Sequence, residues 1–466
     1  MIYKQIMKFI FIIGIPVCWA RLSIQPNNLI FLEFPTYEYT DLYQCNNDMI
    51  VLNFSKTGII DISPDFISSP LITCLNLINR NIKDIANNSF RSLPNLTYLF
   101  LSNNSLNSSN EIYSFGDHEE LNVLILNNVT DNKKSIIGNF GNYPNLEILL
   151  ARNNTFYDLQ SETFSDSDAS PTRKIPFPKL KFLDLSENYI GYKGNIGFMK
   201  LLSNNLQFLD LHDNKLNSLF LYEKGSNLLA LNIDNNYFQS VKYKANYNLS
   251  LELAYLKNLR YLSVSGNKIQ AIDLNAFEDN DKLTYLNLSK NNISGLHPDT
   301  FANLHALQVL DLSFNQLDYI LQISNQININ VLNLSCNKIQ RIISNTFIQT
   351  PKLTKLLLGG NQIYQIDAKA FAYLSVLEIL DLSNNKFNSL PEGWTEFLVS
   401  LKYLDLSDNM FTLLESLSLT NALPLIEVYL VRNPLEYTNI RYAENLPQNL
   451  TVNLIQKSSF ACKCIA

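Results

Sequence analysis

The segment Leu259-Arg-Tyr-Leu-Ser-Val-Ser-Gly-Asn-Lys-Ile269 recurs 24 residues later as Leu283-Thr-Tyr-Leu-Asn-Leu-Ser-Lys-Asn-Asn-Ile293, and after a further 24 as Leu307-Gln-Val-Leu-Asp-Leu-Ser-Phe-Asn-Gln-Leu317. Each copy has the form L-x-x-L-x-L-x-x-N-x-L, with other aliphatic residues allowed at the Leu positions. A fixed period of this length indicates a chain built from one small repeated unit. The same frame also begins at Ile72, Leu96, Leu121, Leu146, Leu180, Leu206, Leu228, Ile329, Leu353, Leu377, Leu401 and Leu425.

Alternation within each copy predicts a short strand. In the copy that begins at Leu401, Leu404 and Leu406 point inward while Tyr403 and Asp405 point outward. Stacked copies then form a parallel sheet, and each coil needs its neighbours to bury its apolar face.

The repeated Asn is predicted to serve the fold, because the chain turns after each strand and an inward amide can satisfy the backbone groups buried there. We expect a structural ladder here and not a binding site. Its members are Asn104, Asn154, Asn188, Asn214, Asn236, Asn267, Asn291, Asn315, Asn337, Asn361, Asn385, Asn409 and Asn433.

The return side of each coil carries a second apolar pair and a Phe, as in Ile293, Leu296 and Phe301. Repeats of this length with a return-side Phe resemble the extracellular leucine-rich repeats of animal receptors and matrix proteins, including Toll and Toll-like receptors. The resemblance implies an α/β-type leucine-rich-repeat solenoid, a curved horseshoe with a concave parallel β-sheet and a largely irregular convex side. About sixteen repeats of ~24 residues would fill residues 49–449.

The first residues predict export. Lys4 and Lys8 precede an apolar run from Phe9 to Val17, so residues 1–20 are typical of a signal peptide. The alternative is a membrane anchor, but the run is shorter than the ~20 residues that cross a bilayer. No later apolar run is long enough either, so the sequence predicts a secreted or extracellular chain without a membrane span.

Both ends extend the resemblance to Toll-like receptor ectodomains. Residues 21–48 resemble the N-terminal cap, but Phe54 occupies the place of its usual second cysteine, and Cys74 becomes the nearest partner for a disulfide with Cys45. Residues 450–466 resemble a degenerate last repeat and the start of a C-terminal cap, which in the family leads to a membrane helix and a TIR domain. We expect either a soluble relative or part of a receptor; the odd number of cysteines left without Cys18 favours the latter.

The net charge and the sequons of the chain limit the kinds of partner and modification that we expect. The chain has a formal net charge of -6, which argues against general affinity for nucleic-acid phosphates. In a secreted chain several sequons should carry glycan. The candidates are Asn53, Asn87, Asn95, Asn103, Asn107, Asn128, Asn153, Asn248, Asn287, Asn292, Asn333 and Asn449.

No catalytic, metal or cofactor site is predicted. His118, His212, His297 and His305 lie in different repeats, and none forms an i, i+4 pair or joins a cysteine pair at ligand spacing. An outward Asp column at Asp184, Asp210, Asp311, Asp381 and Asp405 would attract a basic ligand, although Asp also suits a solvated strand position. We favour the second interpretation.

An outward aromatic column offers anchors for a protein ligand, unless these rings cover one another. The candidate ligand-facing residues are Phe182, Asp184, Phe208, Asp210, Tyr261 and Tyr285. The surface that we expect to bind a ligand is the stretch 182–261 or, as an alternative, the lateral edge of the coils.

The resulting functional hypothesis is non-enzymatic extracellular recognition of a protein or microbial ligand. The resemblance implies an innate-immune role and a homodimer or heterodimer with a receptor of the same class. The alternative is a cell-adhesion or matrix protein, and an enzyme is the third hypothesis.

Overall fold

The computed structural model describes residues 51–53, 61–64, 66–106, 116–129, 135–136, 142–158, 177–191, 202–221, 225–244, 249–436, 442, 446–447, 450–455 and 458. Described residues up to Tyr261 form one compact unit, unit 1, and those from Leu262 onward form a second, unit 2. The predicted signal peptide and the N-terminal cap lie outside the described residues.

Unit 1 is built from short parallel strands. In chain order they are β1 (Val51–Asn53), β2 (Asp61–Ile62), β3 (Cys74–Asn76), β4 (Asp84–Ile85), β5 (Tyr98–Phe100), β6 (Val123–Ile125), β7 (Ser135–Ile136), β8 (Ile148–Leu150), β9 (Phe156–Asp158), β10 (Phe182–Asp184), β11 (Phe208–Asp210), β12 (Ala230–Asn232), β13 (Ser240–Lys242) and β14 (Ser250–Glu252).

The sheet of unit 1 follows the repeat frame. Strands β1, β3, β5, β6, β8, β10, β11 and β12 pair in that order, all parallel and with equivalent repeat positions opposite one another. Strand pairs β2–β4, β7–β9 and β13–β14 form small separate ladders. Equivalent pairing of successive coils is what a solenoid requires.

Unit 2 repeats the design. Its strands, the first of which begins at the last residue of unit 1, are β15 (Tyr261–Ser263), β16 (Ala271–Ile272), β17 (Tyr285–Asn287), β18 (Val309–Asp311), β19 (Val331–Asn333), β20 (Arg341–Ile342), β21 (Lys355–Leu357), β22 (Gln365–Ile366), β23 (Ile379–Asp381), β24 (Tyr403–Asp405), β25 (Glu427–Tyr429) and β26 (Thr451–Asn453).

In unit 2 the strands β17, β18, β19, β21, β23, β24, β25 and β26 form a parallel ladder in chain order, and β20 pairs with β22. Away from the main sheet the backbone of the described residues is mostly turns and includes a 3-10 helix at Leu414–Leu417. The predicted leucine-rich-repeat solenoid, with a parallel sheet on one side and largely irregular return segments, is confirmed. No helix in the described part of the chain is both long and apolar enough to cross a membrane.

The Asn ladder is confirmed, and Asn315 shows how each member works. Its Nδ2 donates to the carbonyls of Leu312, at 3.1 Å, and of Leu288 in the preceding coil, at 2.9 Å. Its Oδ1 accepts the backbone N–H of Ile293 at 3.0 Å. One side chain thus satisfies buried backbone groups of two coils, which would otherwise cost about 1–3 kcal/mol each.

A residue with left-handed backbone precedes most ladder asparagines. Its φ is 54° at Asn153 and 54° at Asn235, a conformation that Asn tolerates better than most residues. Glu187 and Asp213 occupy the same place, with φ of 53° and 52°. We name these residues the left-handed column; Gly266 and Gly360 also belong to it.

The core lies between the sheet and the return segments. The inward strand residues, such as Leu209 and Leu310, are fully buried. On the return side of unit 2 the Phe rings of successive coils pack together, tilted with centroids 5.8 Å apart for Phe277 and Phe301 and stacked with centroids 5.9 Å apart for Phe347 and Phe371. Each coil therefore packs like residues against like residues of its neighbours.

Candidate functional site

The first four candidate ligand-facing residues come together on two adjacent strands of unit 1. Phe182 of β10 lies opposite Phe208 of β11, and Asp184 lies opposite Asp210. The two rings stack with centroids 5.5 Å apart. These strands thus carry an aromatic pair and an acidic pair side by side.

The aromatic column is less accessible than the sequence suggested. Phe182, Tyr261 and Tyr285 are only 4%, 5% and 3% exposed, and Phe208 is half-buried. Tyr285 belongs to unit 2. The alternative that these rings cover one another describes the Phe182–Phe208 pair, and these residues offer a ligand little apolar surface.

The Asp column has a structural use that the sequence did not indicate. Oδ1 of Asp184 accepts the backbone N–H of Ser186 at 2.9 Å, and Oδ1 of Asp311 accepts that of Ser313 at 2.8 Å. The expectation of a solvated position is wrong, since all five members of the column are buried. Each aspartate closes a side-chain turn at the end of its strand.

His212 changes this pattern at one coil. Where the coil of Asp184 has Ser186, whose hydroxyl donates to Asp184 at 2.6 Å, the next coil has His212, with Nδ1 2.7 Å from Oδ1 of Asp210. The opposite nitrogen, Nε2, lies 3.7 Å from Oδ2 of Asp213 and 4.0 Å from Oε1 of Glu187. One imidazole is therefore surrounded by three carboxylates.

Glu187 also pairs with the guanidinium of Arg152 in the preceding coil. Both side chains are about one third exposed, at 34% and 35%. We name Glu187, Asp210, His212 and Asp213 the acidic histidine cluster. It joins residues of two coils because stacking places positions about one repeat apart next to each other.

Burial and charge act on the cluster in opposite directions. Burial by itself would lower the pKa of His212, but the charge and hydrogen bond of Asp210, with Asp184 and Asp213, outweigh it and raise this pKa to about 9. Burial, helped by the charge of Asp210, raises the pKa of Asp184 to about 6 against the hydrogen bonds from Ser186. The two strands hold a compact group of interacting charges.

The lateral edge of the same coils exposes aromatic surface. Tyr189 and Tyr237 are 53% and 38% exposed. Lys215 lies in the coil between them, with Nζ 6.0 Å and 5.4 Å from their ring centroids, and it donates to the hydroxyl of Tyr237 at 3.2 Å. We name these three residues the tyrosine edge.

In unit 2 the outward strand face is occupied differently. Lys355 of β21 is buried, and burial lowers its pKa while the charge of Asp381 opposes the shift. Ser458 donates a hydrogen bond to Oδ2 of Asp405, although 53 residues separate them. A segment near the end of the chain thus meets the sheet where β24 ends.

Unit 2 also has a surface cavity of about 450 Å³, within the usual range of ligand pockets. Arg341 at its wall stacks over the ring of exposed Tyr364, with 5.1 Å from Cζ to the centroid. The lining residues are Leu296, Pro298, Asp318, Tyr319, Ile320, Leu321, Gln322, Gln340, Arg341, Ile343 and Thr346.

The sequons fall into three groups. Asn87, Asn95, Asn103, Asn128, Asn153 and Asn292 are exposed and stay glycosylation predictions. Asn287 is half-buried, and buried Asn333 donates to Oδ2 of Asp311 at 3.1 Å, so a glycan there requires this bond to open. The side chains of Asn53, Asn107, Asn248 and Asn449 lie outside the description.

Both cysteines in the described part of the chain, Cys74 and Cys336, are disulfide-bonded. Cys45 lies outside the described residues, so its bridge to Cys74 stays a prediction. Sequence reasoning assigned no bond to Cys336, because nothing in its own repeat identifies a partner.

Sequence reasoning also missed the acidic histidine cluster. The search for ligand spacing considered neighbours along the chain, whereas the solenoid joins Glu187 to His212 and Asp213 across one repeat. The signal is visible when the repeats are aligned. Glu187 and Asp213 then occupy the same position of their repeats, and His212 occupies the position that Ser186 has in the preceding repeat.

The repeats are matched by the family model described as leucine rich repeat at residues 257–317, 322–363 and 351–411. With the fold, this defines the class: a leucine-rich-repeat solenoid. No curated protein matches the chain.

Solved structures of the same fold come from diverse proteins. The plant peptide hormone receptor RGFR1 in complex with RGF2 shares 18% identity, covers 88% of this chain and 67% of its own, and has a TM-score of 0.53. TLR13 in complex with ssRNA13 shares 20% identity over 87% and 67% of the two chains, with a TM-score of 0.49. An internalin of Listeria monocytogenes shares 19% sequence identity, and the match covers 84% of this chain and 88% of the internalin chain, with a TM-score of 0.46. At these identities the likeness concerns the fold alone.

Proposed function

We propose that this chain is a non-enzymatic, extracellular recognition protein that binds a protein ligand through the lateral edge of its unit 1 coils. The tyrosine edge is the observation that carries the proposal. Tyr189 and Tyr237 combine large apolar area with a polar tip, the properties of residues that dominate protein interfaces. Their attachment to the two coils that flank the coil of Lys215 holds them at a fixed spacing.

Charge supports the same surface. Glu187 and Asp213 lie two residues before Tyr189 and Lys215 in their respective coils. An edge with exposed rings, an ammonium and carboxylates suits a partner with apolar knobs and basic side chains, since complementary charge favours specific docking. A dimer with a second leucine-rich-repeat receptor would use such an edge.

The resemblance of the chain ends to a Toll-like receptor ectodomain favours an innate-immune role. The second candidate is adhesion between cells. A panel of bacterial lipopeptide, lipopolysaccharide, single-stranded RNA and the chain itself, immobilised for surface plasmon resonance, tests the first role and self-association. Aggregation of beads coated with the chain, alone and with cells, tests the second. Aggregation without binding to any microbial probe would reverse the order.

The matched variants decide whether the tyrosine edge is the binding surface. The double variant Tyr189→Ala, Tyr237→Ala should weaken binding of whichever probe is positive by about 100-fold, as loss of two interface anchors does. Tyr364→Ala in unit 2 is the control, because this tyrosine is exposed and also stacks with a cation. Equal affinity of the double variant and the control would refute the assignment.

A further inference from the structure

The acidic histidine cluster has the donor set of a metal site. Nε2 of His212 and one carboxylate oxygen each of Glu187 and Asp213 all lie within 4.8 Å of one another. Three ligands at about 2.0–2.1 Å from a tetrahedral ion are about 3.3 Å apart. The separations from Nε2, 3.7 Å and 4.0 Å, need only small side-chain rotations to reach this value.

The surroundings orient the donors. Asp210 is buried and lies within hydrogen-bond distance of Nδ1 of His212, so when an ion displaces the Nε2 proton the imidazole keeps its Nδ1 proton and turns Nε2 toward the two other carboxylates. A carboxylate behind the far nitrogen is the usual outer partner of a metal-binding histidine. Arg152 in turn orients Glu187.

The charge of the cluster and its access to solvent also favour binding of a cation. Glu187, Asp210, Asp213 and neighbouring Asp184 supply four carboxylates around His212, against the single guanidinium of Arg152 on Glu187, so the cluster attracts a divalent cation. Asp213 is 46% exposed and Glu187 35%, so an ion reaches the cluster from solvent. Water completes the coordination, as in zinc sites with three protein ligands.

We propose that Glu187, His212 and Asp213 bind a divalent transition-metal ion of the zinc class, with Asp210 as the positioning residue. The imidazole nitrogen selects this class, because Ca²⁺ and Mg²⁺ prefer all-oxygen ligands. The site does not depend on the proposed ligand-binding function.

The repeat itself supplies variants that preserve the fold. Ser occupies the position of His212 in other coils, as at Ser186 and Ser407, and Asn occupies the left-handed column at Asn235 and Asn384. His212→Ser, Glu187→Asn and Asp213→Asn therefore replace each ligand with a residue native to that place. His297→Gln is the control, because His297 lies 3.6 Å from Asp299 in an exposed pair outside the cluster.

Isothermal titration of the full chain with ZnCl₂ after EDTA treatment is the test. We expect His212→Ser to weaken the cluster's zinc affinity at least about 100-fold and the two Asn variants about 10-fold or more, with His297→Gln unchanged. Crystals soaked in zinc should show an anomalous peak among the three side chains.

Asp210→Asn tests the positioning role. An Asn here retains the turn, as Asn287 shows by accepting the N–H of Ser289 at 3.0 Å. We expect about 10–100-fold weaker zinc binding, with an unchanged urea midpoint in EDTA above pH 9, where His212 is neutral. Equal zinc titrations of wild type and His212→Ser overturn the proposal, as does binding of Ca²⁺ or Mg²⁺ as tight as that of zinc.

Discussion

Two pairs of aspartates occupy the same place in the repeat, Asp184 with Asp210 in unit 1 and Asp381 with Asp405 in unit 2. Each pair joins adjacent parallel strands in register. In all four, Oδ1 accepts the backbone N–H two residues further on, at 2.8–3.1 Å. Both pairs therefore make the same hydrogen bonds with the backbone.

The residues that contact the two aspartate pairs differ. In unit 2 the residues two positions on are Ser383 and Ser407, and Asp405 also accepts a hydrogen bond from Ser458. In unit 1 one serine is replaced by His212, which adds a second nitrogen facing Glu187 and Asp213. The repeat thus fixes the turn, whereas the variable positions beside it decide whether the turn also carries chemistry.

The largest expected effect tests the framework that the two pairs share. Asn214→Ala and Asn385→Ala each remove bonds to three carbonyls and one backbone N–H. We expect each to lower the local free energy of unfolding by about 3 kcal/mol. Hydrogen exchange read by mass spectrometry follows the two units separately.

Lys386→Ala is the control, since this exposed side chain follows a ladder asparagine and should matter by less than about 0.5 kcal/mol. A cost for Asn214→Ala no larger than that of Lys386→Ala would show that the framework of unit 1 differs from that of unit 2.

The next prediction distinguishes the two aspartate pairs by the pH dependence of the free energy of unfolding. In EDTA the raised pKa of His212, about 9, means that its contribution is complete below its ordinary value of 6.5 and is lost as pH rises to about 9. We expect wild type to lose about 2 kcal/mol relative to His212→Ser between pH 6.5 and 9, a figure reduced for the partial exposure of the imidazole.

Urea unfolding of both proteins at the two pH values measures this difference, and groups that titrate alike in the two proteins cancel. The effect should appear in unit 1 only, because the Asp381–Asp405 pair has Ser407 where the other has His212. Parallel pH dependence of wild type and variant would show that the cluster adds nothing to stability.

The sequence predicted what a single coil imposes. Inward leucines such as Leu404 and ladder members such as Asn315 follow from alternation and from the turn within each repeat, so their positions are readable from the frame. The metal-like grouping of Glu187 with His212 and the contact of Ser458 with Asp405 arise between segments, where chain spacing gives no direct signal. The aromatic column was placed on the correct strands, but burial depends on neighbouring side chains, and Phe182 proved to stack on Phe208.

The smallest predicted effect tests whether the hydrogen bond from Ser458 to Asp405, in the Asp381–Asp405 pair, stabilises the end of the described chain. Ser458→Ala removes the hydrogen bond to Oδ2 of buried Asp405 and should cost about 1 kcal/mol, because the carboxylate loses a donor. Exchange of the amides of β26 should then accelerate about 5-fold, the equivalent of that energy. Ser389→Ala, an exposed serine of the same unit, should leave these amides unchanged. Unchanged exchange in Ser458→Ala would mean that the end segment is held by other contacts, and the acidic pair of unit 2 would then be as available to a ligand as that of unit 1.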